Sequence, residues 1–164
     1  MKKLPRVPSR TTLGFAFSIL DRALREGLLE RKFGKDEVAE VCEWFTIDGE
    51  LECVFCGSRD VMRWDHLVPV RYGGSTVLGN MVPSCQPCDD SKQHYDFEEW
   101  MMKSTKGSLK ARGVVNIKAR IKKLKRYQEK YNFHPKDVDN LIPEQISKKI
   151  AKLRKELELF LNVS

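Results

Sequence analysis

Four of the five cysteines in this chain fall into two pairs at one spacing, Cys53-Val54-Phe55-Cys56 and Cys85-Gln86-Pro87-Cys88. Two Cys-x-x-Cys knuckles suit a tetrahedral Zn²⁺, because each short loop can bring two thiolates to about 2.3 Å from one ion. Gly57 directly follows the first knuckle and permits the tight turn that such a loop needs. Four thiolates close the coordination shell and leave no open position for a substrate, so a zinc ion held here builds structure and does no chemistry. The alternatives for these residues are buried unliganded thiols or a redox pair. The knuckles are separated by 28 residues, too many for a simple ribbon, so the insert must itself be folded. The fifth cysteine, Cys42, lies in the apolar pattern Val38, Val41, Cys42, Phe45 and reads as a small core residue.

The elements that must hold these knuckles read mostly as helices. From Thr11 or Thr12 as N-cap, Leu13, Phe17, Leu20, Leu24 and Leu28 recur at helical spacing and predict a helix ending near Phe33-Gly34. Asp36 caps a second helix through about Phe45, closed by Asp48-Gly49. Val61 to Trp64 and Asn80 to Pro83 read as a strand and its return, joined by a glycine-hinged loop over 71–79. A helix entered at Pro87 runs through Trp100-Met101-Met102, with Trp100 in the core. Ile117, Ile121, Leu124 and Tyr131 form the stripe of another helix. In a last helix Ile146, Ile150, Leu153, Leu157 and Phe160 or Leu161 make a seam, for which packing within the chain is favoured over packing on a second copy. Residues 1–9, with two prolines, read as an arm.

Composition narrows the class. The chain has 164 residues with 41% apolar and 9% aromatic side chains, which excludes collagen-like, mucin-like and wholly disordered proteins. No run approaches the roughly 20 apolar residues of a membrane span, and the basic start is not followed by an apolar signal region, so an intracellular, cytoplasmic location is expected. The net charge of +7 is unevenly spread: +6 over residues 1–35, −10 over 36–102, +10 over 103–130 and +1 over 131–164. Basic arms around an acidic, cysteine-bearing centre fit a metal-binding middle held against phosphates, although solvated Lys-rich helix faces would give the same distribution.

Between the knuckles stand Trp64-Asp65-His66-Leu67-Val68-Pro69, then Gly73-Gly74, then Asn80, with Cys88-Asp89-Asp90-Ser91-Lys92 after them. Asp-His before a proline, a glycine pair, an asparagine fifteen residues after the aspartate and a knuckle leading into a helix with a lysine together resemble the HNH endonucleases. The resemblance covers about residues 50–102. It implies a fold that is α+β and mostly helical, with a small zinc-stapled ββα-metal core flanked by N- and C-terminal helices. The segments would be a helical extension (1–49), the nuclease core (50–102) and a basic helical region (103–164).

The resemblance also implies roles. His66 would take a proton from the attacking water, since an imidazole titrates near neutrality. Asp65 and Asp89 match the positions that hold a catalytic divalent ion, Mg²⁺ or Mn²⁺, which are hard cations taking oxygen ligands. Asn80 matches the asparagine that fixes the loop and orients the histidine; as a bare residue it could equally be a turn former beside Gly79. Asp89 departs from the family pattern, which usually has Asn or His there, and it could instead complement a helix N-terminus, with Asp90 or His94 supplying the contact. His94 lies about 140° around a helix from Asp89, so the two do not readily share one ion.

The activity so implied is hydrolysis of DNA phosphodiesters to 5′-phosphate and 3′-hydroxyl ends, by a restriction or homing-type enzyme or by a nicking or low-specificity nuclease. A zinc-dependent DNA-binding module without catalysis is the rival from another class. Double-stranded DNA is the expected partner, with Lys92, Arg63, Arg71, Lys118, Lys122, Lys125 and Arg126 as the cations to meet its backbone. One site cuts one strand, so double-strand cleavage would require a homodimer, with the C-terminal seam as its interface.

Overall fold

A computed structural model describes residues 12–162; the arm expected over residues 1–9 lies outside them. Helix α1 (Leu13–Leu28) starts where Thr12 Oγ1 accepts the Phe15 amide at 3.2 Å. It stops a turn short of Phe33, because the backbone of Glu30 to Lys32 is taken up by a remote partner: Thr76 donates to the Glu30 carbonyl and accepts from the Lys32 amide, both at 2.9 Å. Helix α2 (Lys35–Phe45) begins one residue before Asp36, with the Glu37 carboxylate accepting the Gly34 amide at 2.8 Å. Asp48-Gly49 does more than close α2. Both residues have positive φ (50° and 81°), and they turn a two-residue hairpin, β1 (Thr46–Ile47) to β2 (Glu50–Leu51).

Strands β3 (Arg63–His66) and β4 (Met81–Ser84) pair antiparallel, with Asp65 opposite Val82 and His66 opposite Met81. Both begin later in the chain than the sequence indicates, by two residues and one. A 3₁₀ turn, Val70–Tyr72, and the glycine loop join them. The helix expected from Pro87 to Met102 is broken in two, α3 (Gln86–Lys92) and α4 (Phe97–Met102). Gln93 at φ 51° ends the first, and Asp96 Oδ1 starts the second by accepting the Glu98 and Glu99 amides. Helix α5 (Ile117–Lys130), the short α6 (Val138–Leu141) and α7 (Glu144–Asn162) complete the chain. Among the described residues no helix is long and apolar enough to cross a membrane.

The fold is α+β and mostly helical. One core gathers Val41 and Phe45 of α2, Cys53 and Phe55 of the first knuckle, Trp100 and Met101 of α4, and Ile121, Leu124 and Tyr127 of α5. Tyr127, absent from the sequence-derived stripe although three residues from Leu124, is fully buried, and its hydroxyl donates to the Met81 carbonyl at 3.0 Å. Cys42 is only half-buried beside the fully buried Val41. A second, smaller cluster of Leu29, Val70, Val138 and Ile142 joins the end of α1 to the 3₁₀ turn and α6. The stripe of α7 is partly covered: Ile146, Ile150 and Leu157 are half-buried and Leu153 is exposed, while the Arg154 guanidinium lies over the Phe17 ring of α1 at 5.8 Å.

Candidate active site and metal centre

The sulfurs of Cys53, Cys56, Cys85 and Cys88 all lie within 4.8 Å of one another, and Cys56 and Cys85 are 3.6 Å apart. A tetrahedron of thiolates about 2.3 Å from a central ion has edges of about 3.8 Å, whereas a disulfide would bring two sulfurs to about 2.05 Å. The donor set therefore fits zinc. Local structure holds both loops: the Cys53 carbonyl accepts the Gly57 amide at 2.8 Å and the Cys85 carbonyl accepts the Cys88 amide at 3.1 Å. The first knuckle is also stitched to β4, since the Val54 amide donates to the Pro83 carbonyl. Hydrogen bonding among the crowded thiols holds Cys56 below the ordinary thiol range while pushing Cys53 and Cys88 up. Arg112 Nη1 donates to Cys88 Sγ at 3.1 Å, placing a positive charge against the thiol cluster, a contact on which the sequence is silent.

Beside this cluster opens a cleft of about 790 Å³, walled by α1 on one side and by β3, the 3₁₀ turn and α3 on the other. Asp65, His66, Arg71, Asp89 and His94 line it, together with Arg22 and Arg25 of α1. Asp65 and His66 are the last two residues of β3, and both line the cleft. Asp65 is buried, and burial pushes its carboxyl from the ordinary 3.8 up to about 6, with Lys92 opposing and Asp89 adding to the rise. Its Oδ2 has no hydrogen-bond partner among the described residues. An orphaned carboxylate oxygen at the floor of a cleft, with Asp89 nearby, is the donor chemistry a hard divalent cation takes.

His66 is desolvated as well. Burial, then the charges of Lys92 and Arg22, pull its pKa down to about 4, so the ring is neutral at pH 7. Its Nε2 lies 2.9 Å from Thr76 Oγ1. Asn80, fully buried, brackets the loop: its Oδ1 accepts the Val68 amide at 2.8 Å, and its Nδ2 donates to the carbonyls of Val68 at 3.1 Å and Ser75 at 2.9 Å. The glycine pair is a matter of room. A Cβ on Gly74 would stand 1.7 Å from the Val68 carbonyl oxygen, and one on Gly73, where φ is 84°, 1.8 Å from that of Lys136.

The cations expected at DNA divide. Lys92 is corrected: it is fully buried, with Nζ donating to the His66 carbonyl at 2.6 Å and to Asp65 Oδ1 at 3.3 Å, so it braces the floor of the site and cannot meet a phosphate. Arg63 is half-exposed but engaged, its Nη1 reaching Asp89 Oδ2 at 2.6 Å and Asp90 Oδ1 at 2.7 Å. Arg71 lines the cleft. Lys118, Lys122, Lys125 and Arg126 are exposed along α5 and line no part of the cleft, and Lys125 pairs with Glu98. The α1 wall was not foreseen in the sequence, since nothing in the amphipathic pattern of α1 places Arg22 and Arg25 opposite β3.

Residues 53–94 match the family model described as HNH endonuclease, well under half of the 164-residue chain. No curated protein and no solved structure matches the chain. The matched stretch runs from the first knuckle to just beyond α3 and contains every residue of the cleft floor named above. Residues 53–94 thus make up an HNH endonuclease domain, and its presence supports a nuclease-type function in general.

Proposed function

We propose that this HNH chain is a metal-dependent endodeoxyribonuclease that hydrolyses phosphodiesters to 5′-phosphate and 3′-hydroxyl ends. The observation that carries the reading is the juxtaposition on β3 of a neutral, half-buried imidazole and a buried carboxylate with an unpartnered oxygen, both lining one cleft with Asp89. A water oxygen attacks phosphorus in line with the P–O3′ bond. His66 takes the water's proton, the P–O3′ bond breaks, and the 3′-oxygen collects a proton from solvent. A divalent ion, Mg²⁺ or Mn²⁺, held by Asp65 and Asp89 would supply charge neutralisation for the phosphoryl and departing oxygens. Asn80 keeps the loop closed around His66. Arg71, in the cleft, meets the backbone beside the scissile bond, and Arg63 does so when it exchanges Asp89 for phosphate. Lys118, Lys122, Lys125 and Arg126 hold flanking phosphates at a distance from the chemistry.

In this reading α1, within the extension over 1–49, walls the cleft, residues 50–102 carry the chemistry, and α5, within the basic region over 103–164, binds backbone. A restriction or homing-type enzyme would pair two copies to cut both strands, and the exposed Leu153 and Leu161, on the seam side of α7, support such pairing. The test is supercoiled plasmid incubated with wild type and His66→Ala in Mg²⁺, Mn²⁺ or EDTA, scored for nicked and linear DNA. Ion-dependent cutting that falls by about 10²-fold or more in the variant is expected. Undiminished cutting by the variant, or DNA binding without cutting in any ion, would overturn the reading, the latter in favour of a non-catalytic zinc module.

A further inference from the structure

Thr76 carries no chemistry of its own, yet its hydroxyl is the hydrogen-bond partner of the His66 ring, at 2.9 Å from Nε2. Its backbone is gripped from outside the matched family stretch. The Thr76 amide donates to the Glu30 carbonyl and its carbonyl accepts from the Lys32 amide, an isolated parallel bridge centred on Arg31. The Glu30 carboxylate in turn receives Lys136 Nζ at 2.8 Å and Lys32 Nζ at 3.2 Å. From the other side, Asn80 Nδ2 holds the carbonyl of the preceding residue, Ser75. A side chain fixed at both flanks of its own backbone presents its oxygen in one place.

Resting on the reading of His66 as the base, we infer that Thr76 is a positioning residue that sets the tautomer and ring orientation of His66, and that the segment Glu30–Lys32 after α1 holds Thr76 in register. With hydrogen on Nε2 donated to Thr76 Oγ1, the lone pair of Nδ1 is the one left to receive a proton from water. Without the hydroxyl, the two tautomers compete and the ring can turn about its last torsion. Only the nitrogen facing the water then works as a base, and only part of the time.

The substitution Thr76→Val keeps shape and backbone while removing the hydroxyl; Thr76→Ser restores it. In plasmid nicking by the full chain, Thr76→Val is expected to lower kcat by on the order of 10-fold to 100-fold with KM for DNA unchanged, and Thr76→Ser to stay within about threefold of wild type. A second readout is independent of activity. The chain has three histidines, so long-range ¹H–¹⁵N correlation of the labelled protein isolates His66 by comparison with His66→Ala. Wild type and Thr76→Ser should show a single Nε2–H tautomer, and Thr76→Val a mixture. Wild-type kcat together with an unchanged single tautomer in Thr76→Val would overturn the inference while leaving His66 as the base. A His66→Ala protein that still cuts would overturn the underlying reading and this inference with it.

Discussion

The cysteine cluster and the cleft floor lie on the same short stretch of chain, and they treat their polar atoms in opposite ways. At the knuckles four like donors face one another within 4.8 Å, each loop closes its own backbone hydrogen bonds, and Arg112 adds a contact from outside. At the floor, Asp65 is gripped by a buried lysine through one oxygen and left without a partner at the other, and His66, half-buried, is partly desolvated beside it. A closed, symmetric donor set is suited to stay as it is. A floor with an unspent oxygen and a neutral imidazole is suited to bind and react, and unsatisfied buried groups reduce its stability.

That contrast is broken most directly at the knuckles. Cys85→Ser should abolish stoichiometric zinc and with it cooperative folding, because structural zinc contributes on the order of 10 kcal/mol and Cys85 is itself a core residue. Metal content by a zinc-sensitive dye and the circular-dichroism melt would check this; a folded, zinc-free variant would mean that the cluster is not the staple. Next in size is Lys92→Met. It leaves the Asp65 carboxylate buried without its cation and should cost about 3–5 kcal/mol in urea unfolding at pH 7. Adding Asp65→Asn should recover much of that loss, since the strain lies in the unpaired charge and not in the missing lysine.

The smallest effect separates the two residues of the floor. Asp65, raised to about 6, holds its proton in the folded protein where the unfolded chain has lost it, so its contribution falls as pH rises from about 4 to 6. His66, lowered to about 4, is neutral in the folded protein where the unfolded chain binds a proton, so its contribution rises over nearly the same range. The two slopes oppose each other. Unfolding free energy of the wild type, without added Mg²⁺ or Mn²⁺, should be nearly flat from pH 4 to 6. Asp65→Asn should make it rise and His66→Ala should make it fall, each by about 3 kcal/mol. A steep wild-type curve matched by both variants would show that neither group is desolvated as described.

What the sequence disclosed follows from how local each signal is. Two knuckles, a strand pair between them, and Asp65, His66 and Asn80 in order are short-range patterns, and they survive into the fold with shifts of one or two residues at the strands. Lys92 could not be placed, because a helical lysine three residues from an aspartate reads as exposed unless the strand beneath it is known to be β3. Thr76 was invisible for the same reason: its partners, Glu30 and Lys32, are more than forty residues away in the chain. The Asp48-Gly49 hairpin was within reach, since adjacent residues favouring positive φ are its usual signal. The helix break at Gln93 was harder, because glutamine seldom adopts that conformation without tertiary support.

The glycine loop is tethered at both of its shoulders by residues outside the matched stretch: Thr76 to Glu30 and Lys32, and Gly73, whose carbonyl accepts the Lys136 amide at 3.0 Å. The family motif in this chain is therefore not a portable cassette. Excised at residues 53–94, it would keep its cysteines and its Asp-His pair and lose both guy-ropes of the loop that aims them. Transplantation into another scaffold would have to carry the turn after α1 and the approach to α6 along with it.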